Sequence, residues 1–244
     1  MKNIKRYNQL FENNQELTQE QKDWLDRCTK GSWSVGLNGL VYINGDFDCS
    51  YMGLEDFKGV RFGRVNLNFN CSNNKLESLE GAPERVIGNF NCASNLLKSL
   101  EYSPKSVGGS FNCSNNDLTS LKGAPERINR SLNCAKNKLT SFKDAPQQIA
   151  GDLYCFDNKI SSLDGIPKKV SGELYATSNP ISEKSIEKVL NKLRVEVRHL
   201  ERAVAEVWED LPEEDQAYLA KHNPDLTDEE KRIYRAMELN MKRR

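Results

Sequence analysis

The middle of the chain repeats itself every 21 residues, and this period constrains the fold more than any other feature. Leu76, Leu97, Leu118, Leu139, Ile160 and Ile181 keep that step. So do Pro83, Pro104, Pro125, Pro146 and Pro167, and Cys71, Cys92, Cys113, Cys134 and Cys155. Cys49 lies one residue further back than the step requires, and Ala176 takes the place after Cys155. Asn74, Asn95, Asn116, Asn137, Asn158 and Asn179 form a further series. Independent residue types in one register at this period predict a stack of identical turns, a solenoid.

Each unit reads V-x-x-x-[FL]-x-C-x-x-N-x-L-x-S-L-x-G-A-P. Phe90 and Cys92 alternate with polar neighbours, which predicts a short strand with both side chains on one side. Asn95 turns the chain and Leu97 points inward again. A proline in every unit forbids a regular helix on the return path, so that path is expected to be extended or polyproline-like. Strands are predicted to begin near Phe47, Phe69, Phe90, Phe111, Leu132, Leu153 and Leu174. At about 4.8 Å between neighbours their sheet is roughly 29 Å wide.

The Cys-x-x-Asn-x-Leu run resembles the signature of leucine-rich repeats. The Pro-bearing unit, as in Leu118-Thr119-Ser120-Leu121-Lys122-Gly123-Ala124-Pro125, is similar to the short bacterial class of YopM-type and IpaH-type effectors, with one residue more per unit. The wording N-C-S-N-N-x-L…G-A-P also resembles leucine-rich-repeat proteins of tailed bacteriophages. The resemblance covers roughly residues 36–181. It implies an α+β repeat fold: a leucine-rich-repeat solenoid with its parallel sheet on the concave face, no regular helix on the convex face, and helical ends.

Three regions are expected: a helical N-terminal cap over 1–35, the solenoid over 36–181 and a helical region over 182–244. Solenoid ends expose apolar edges and need caps. Thr18-Gln19-Glu20-Gln21 is a capping box, opening a helix that turns Trp24, Leu25 and Cys28 to the core, with Gly31 as its stop. Phe57, Val60 and Phe62 replace the proline-bearing return in an imperfect first turn. After Ser182, a good N-cap, Val189, Leu193, Val197, Leu200, Val204, Val207, Trp208 and Leu211 predict one long amphipathic helix ending before Pro212.

Composition limits the function classes. Hydrophobic residues make up 37% and charged residues 29%, which points to a thin core or a partly disordered chain. Lys plus Arg equals Asp plus Glu, at 35 each, so no global charge draws the chain to nucleic acid or anionic membrane. The N-terminus has no apolar run after its lysines, so no signal peptide is expected, and no run approaches a bilayer span. The seven cysteines are then read as reduced, in a cytoplasmic protein.

The cysteine ladder is expected to be packing. A straight row cannot converge on one metal ion, and parallel side chains keep their Cβ atoms too far apart for an easy disulfide. The asparagines are expected inside, satisfying backbone groups of adjoining turns. No metal site, cofactor or catalytic residue is predicted. There is no P-loop, H-E-x-x-H or G-x-S-x-G. The ligase domain that IpaH-type proteins carry after their repeats uses a cysteine, and none follows Ile181.

Functional information is expected at the outward strand positions. In the middle strands they are bland: Asn89, Asn91, Ala93; Ser110, Asn112, Ser114; Ser131, Asn133, Ala135. The last two strands present Asp152, Tyr154, Phe156, then Glu173, Tyr175, Thr177. Aromatics beside carboxylates on an open sheet form a candidate partner-binding surface, unless the C-terminal helix folds back over them. The expected function is non-enzymatic protein binding. The phage resemblance implies a host or defence protein as the partner, masked or inhibited in the host cytosol. The alternatives are a scaffold that self-associates through the 183–211 helix, with Val197, Leu200, Val204 and Trp208 at the interface, and a factor touching nucleic acid through Lys231, Arg232, Arg235, Lys242, Arg243 and Arg244. The last is disfavoured, because Asp228, Glu229, Glu230 and Glu238 lie among those cations.

Overall fold

The fold is given by a computed structural model, which describes residues 16–182 and Lys184. The first helix, α1 (Gln19–Cys28), starts where the capping box places it. The Thr18 hydroxyl accepts from the Gln21 amide, and the Gln21 side chain accepts from the Thr18 amide at 2.8 Å. Trp24, Leu25 and Cys28 face the core. Gly31 is not the helix stop. The chain is already extended at Thr29, and residues 29–35 form a strand, β1 (Thr29–Val35), antiparallel to β2 (Val41–Asp48). Gly31 pairs with Gly45 there, both at positive φ, so neither brings a Cβ to the close crossing of the two strands. The cap is therefore a helix plus a hairpin.

Beyond β2 the chain winds as a parallel solenoid. One ladder runs β2, β4 (Phe69–Asn70), β6 (Phe90–Asn91), β8 (Phe111–Asn112), β10 (Leu132–Asn133), β12 (Leu153–Tyr154) and β14 (Leu174–Tyr175). These are the strands the repeat predicts, in the predicted register: Phe69 pairs with Phe90, Phe90 with Phe111 and Leu132 with Leu153. The return path contains a second parallel ladder that the proline argument did not anticipate. It runs β3 (Phe62–Val65), β5 (Arg85–Val86), β7 (Ser106–Val107), β9 (Arg127–Ile128), β11 (Gln148–Ile149) and β13 (Lys169–Val170). A proline removes one amide from the ladder only at its own position, and the two residues that pair lie beyond it. The two-residue strands β5, β7, β9 and β11 each bury one residue, Val86, Val107, Ile128 and Ile149 in turn, and leave its neighbour facing out; β3 buries Val65 at the same place, and Val170 of β13 is half-buried. Each turn thus has two parallel sides around a core one side chain thick: a leucine-rich-repeat solenoid.

The core is a set of stacked columns. Phe47, Phe69, Phe90 and Phe111 stack with centroids 5.2–5.4 Å apart, and Leu132 and Leu153 continue the column. Trp24 closes the N-terminal end edge-on to Phe47 at 5.3 Å and Phe62 at 6.2 Å. The asparagine series has the predicted structural role. Asn116 takes the Leu97 amide of the preceding turn on Oδ1 at 3.0 Å and gives Nδ2 to the Cys92 and Cys113 carbonyls, each at 3.1 Å. Asn95, Asn137, Asn158 and Asn179 repeat this set. Buried backbone groups at the corner are thereby satisfied across two turns.

Cys49, Cys71, Cys92, Cys113, Cys134 and Cys155 are buried free thiols in one column, and Cys28 is buried in α1. Burial pushes Cys134 up to about 12 and Cys28 up to about 11, and raises the others as well. Among the described residues no group of three or more His, Cys, Asp or Glu side chains converges on a point that could hold a metal ion. No helix among them is long and apolar enough to cross a membrane. The long helix predicted after Ser182, with Val197, Leu200, Val204 and Trp208, and the basic C-terminal end lie outside the described residues.

Candidate functional site

The outward positions of the first ladder are held by side-chain hydrogen bonds that run from turn to turn. In the column before each strand, Asp46 accepts from the Asn68 amide, Asn68 from Asn89, Asn89 from Ser110, Ser110 from Ser131 and Ser131 from Asp152. Asp152 continues the series by accepting from the Glu173 amide at 2.9 Å. In the next column Asn70, Asn91, Asn112 and Asn133 each accept from the amide two residues on. That local turn tucks Ala93 and Ala135 underneath, so these two are buried rather than outward as the alternation suggested.

The pattern breaks at Tyr154. A tyrosine cannot make the short turn of an asparagine, and its ring extends along the face instead. Tyr154 and Tyr175 are partners in register, and their rings stack with centroids 4.6 Å apart and planes 4° from parallel. The Tyr154 hydroxyl donates to Asp152 Oδ2 at 3.0 Å, and the Glu173 carboxylate acts on the Tyr175 phenol in the same way on the next strand, raising its pKa. Glu173 holds the Tyr175 phenol protonated, up to about 12, and the hydrogen bond to Asp152 raises Tyr154. The Glu173 amide and the Tyr154 hydroxyl in turn hold the Asp152 carboxyl below its ordinary range.

The predicted residues therefore divide. Asp152, Tyr154, Glu173 and Tyr175 form one hydrogen-bonded, stacked group. Phe156 and Thr177 lie two residues further along, both half-buried. Their carbonyls serve the ladder, Phe156 O accepting from the Lys136 amide and Thr177 O from the Asp157 amide. Phe156 stacks on no ring among the described residues. The role of Asp152 in the turn-to-turn series was missed from sequence. Its signal was present in the Asp, Asn and Ser residues at the same position of every unit, which were read only as bland.

Comparison with solved structures finds a Shigella effector LRR domain. It is 18% identical, with 75% of this chain and 89% of that chain covered, at a TM-score of 0.45. No protein-family model matches the chain, and no curated protein matches it.

Proposed function

We propose that this protein is a non-enzymatic binding module that holds a protein partner against the β12–β14 end of its first ladder. The observation that carries this reading is the half-buried, in-register Tyr154–Tyr175 stack, flanked by Asp152 and Glu173, on a face whose outward positions from β4 to β10 are small and neutral. Rigid aromatic side chains give contact area at low entropic cost, which is what a binding hot spot requires. Phe156 and Thr177 extend the surface. The resemblance of the repeat to tailed-phage proteins supports a bacterial host or defence protein as the partner, acting in the cytosol, with masking as the mode of action.

The test is affinity capture from the cell that harbours the protein, followed by reconstitution with the purified candidate. The wild type is run beside Tyr154→Ala/Phe156→Ala/Tyr175→Ala. One stoichiometric partner whose purified form binds the wild type and not the folded variant is expected. Equal binding by both removes the tyrosine face from the reading.

A further inference from the structure

The second ladder carries a row of cations that its register brings into line. Arg64 pairs directly with Arg85, Arg85 with Ser106 and Ser106 with Arg127. Ile149 pairs with Ile128, which sets Gln148 beside Arg127, and Gln148 pairs with Lys169. The outward row is therefore Arg64, Arg85, Ser106, Arg127, Gln148, Lys169, with no acidic member. Among the described residues none of its four cations is in an ion pair; the ion pairs involve Lys58, Lys98, Lys122 and Lys138. Like charges directly opposite on neighbouring strands are unfavourable. A row that accepts this cost with no carboxylate in it is suited to receive carboxylates from elsewhere.

Spacing says what kind. Arg85, Arg127 and Lys169 lie two strands apart, about 9.6 Å per step at about 4.8 Å per strand. A polyproline II chain turns once in three residues at a rise of about 3.1 Å, so one face repeats every 9.3 Å or about that. An extended peptide with an acidic residue at every third position matches this row step for step. Arg127, Gln148 and Lys169 already line an open groove of about 680 Å³. Glu126 and Asp144 also line it, so net charge alone does not hold a partner there and the carboxylates must fall in register with the cations. No aromatic side chain lines the groove, which removes the base-stacking used for single-stranded nucleic acid.

We infer that the second ladder is a separate docking row for an extended acidic protein segment, bearing carboxylates at every third residue, with Arg85, Arg127 and Lys169 as its anchors. The guanidinium fork suits this role because it takes a carboxylate through two parallel hydrogen bonds.

The test is fluorescence anisotropy on the full chain at low ionic strength, with labelled peptides of repeating Glu-Pro-Pro as the probe. The comparisons are a peptide of equal charge and composition with its glutamates adjacent in pairs, and a repeating Gln-Pro-Pro peptide. The variant is Arg85→Gln/Arg127→Gln/Lys169→Gln. Gln148 already occupies the row, so glutamine is compatible with the ladder. The Glu-Pro-Pro peptide is expected to bind wild type, to weaken about tenfold or more in the variant, and to exceed the paired-glutamate peptide severalfold. Equal binding by the variant overturns the row as a site. Equal binding by the two acidic peptides overturns the register. Tighter binding of an oligo-dT strand, lost in the same variant, overturns the acidic-peptide assignment in favour of nucleic acid. The tyrosine-face variant retains this binding, so failure here and failure of the proposed function are separate results.

Discussion

At the residue scale the structure assigns costs to positions that look alike in sequence. Gly81, Gly123 and Gly165 share a left-handed position ahead of the Ala-Pro or Ile-Pro step, with φ of 79–90°. Tyr102 and Asp144 occupy the same position in the intervening turns, with φ of 67° and 65°. A side chain in that region costs about 1–2 kcal/mol, and glycine returns about 0.4–1 kcal/mol of that through the unfolded chain. The Tyr102 side chain is largely exposed. Tyr102→Gly is therefore expected to raise stability by about 0.5 kcal/mol, read as a higher urea midpoint at unchanged slope. The cysteines set the alkaline limit. Their raised folded values mean that the folded state holds protons that the unfolded chain releases above roughly pH 8.5. That stability is whole below pH 8.5 or so and is lost as pH rises through about 11 for Cys28 and about 12 for Cys134. Tyr175, held up to about 12, adds a loss in the same direction. Urea midpoints should be flat from neutrality to roughly pH 8.5 and fall steadily above it. A thiol reagent at pH 8 should leave the native column untouched and modify all seven cysteines once the chain unfolds.

At the element scale the asparagine corner decides whether neighbouring turns lock together. Asn116→Ala strands the Leu97 amide in the interior and leaves the Cys92 and Cys113 carbonyls with one amide donor each, from Asn95 and Asn137, so a loss of about 2 kcal/mol is expected in chemical denaturation. Asn116→Asp separates the two halves of the bond set. It keeps the acceptor for Leu97 and turns the donor toward two carbonyls into a second acceptor, so it should cost at least as much. A loss under about 1 kcal/mol for both would mean that water replaces the amide at this corner. The first ladder, the stacked core and this corner were legible because each rests on one residue type at a fixed step. The second ladder was not, because its buried Val or Ile is common and its outward partner changes from Arg to Ser to Gln to Lys. The β1 hairpin was hidden for another reason. Gly31 reads locally as a helix stop, and only its partner Gly45, across the hairpin, shows it to be a strand crossing. The candidate site was legible as composition, since Tyr154 and Tyr175 stand out from the small polar residues before them. Its geometry needed the register that stacks the two rings.

At the scale of the whole molecule a net charge of zero hides two rows of opposite sign. On the first ladder the charged residues flanking the strand starts are Asp46, Asp48, Asp152 and Glu173, all acidic. On the second the outward row holds Arg64, Arg85, Arg127 and Lys169, all basic. Hydrogen bonds link each turn to the turns beside it, as in any solenoid, and charge repulsion within a row is strongest between nearest neighbours. Arg64 and Arg85 are the one adjacent pair of cations in the row. Arg85→Gln removes that pair without touching the buried Val86. It is expected to raise stability by about 0.5 kcal/mol at low salt. The screening length falls from about 30 Å at 0.01 M salt to about 3 Å at 1 M, so the gain should vanish at high salt. Thermal unfolding of wild type and variant across that range gives two curves that converge from below if the row carries a repulsive cost. The acidic peptide reverses the order: it meets three anchors in wild type and two in Arg85→Gln, so its addition should raise the wild-type midpoint and leave Arg85→Gln less changed. Curves that coincide at every salt concentration would show the two guanidinium groups splayed apart with no cost between them, and the row would then have no repulsion for an acidic partner to relieve.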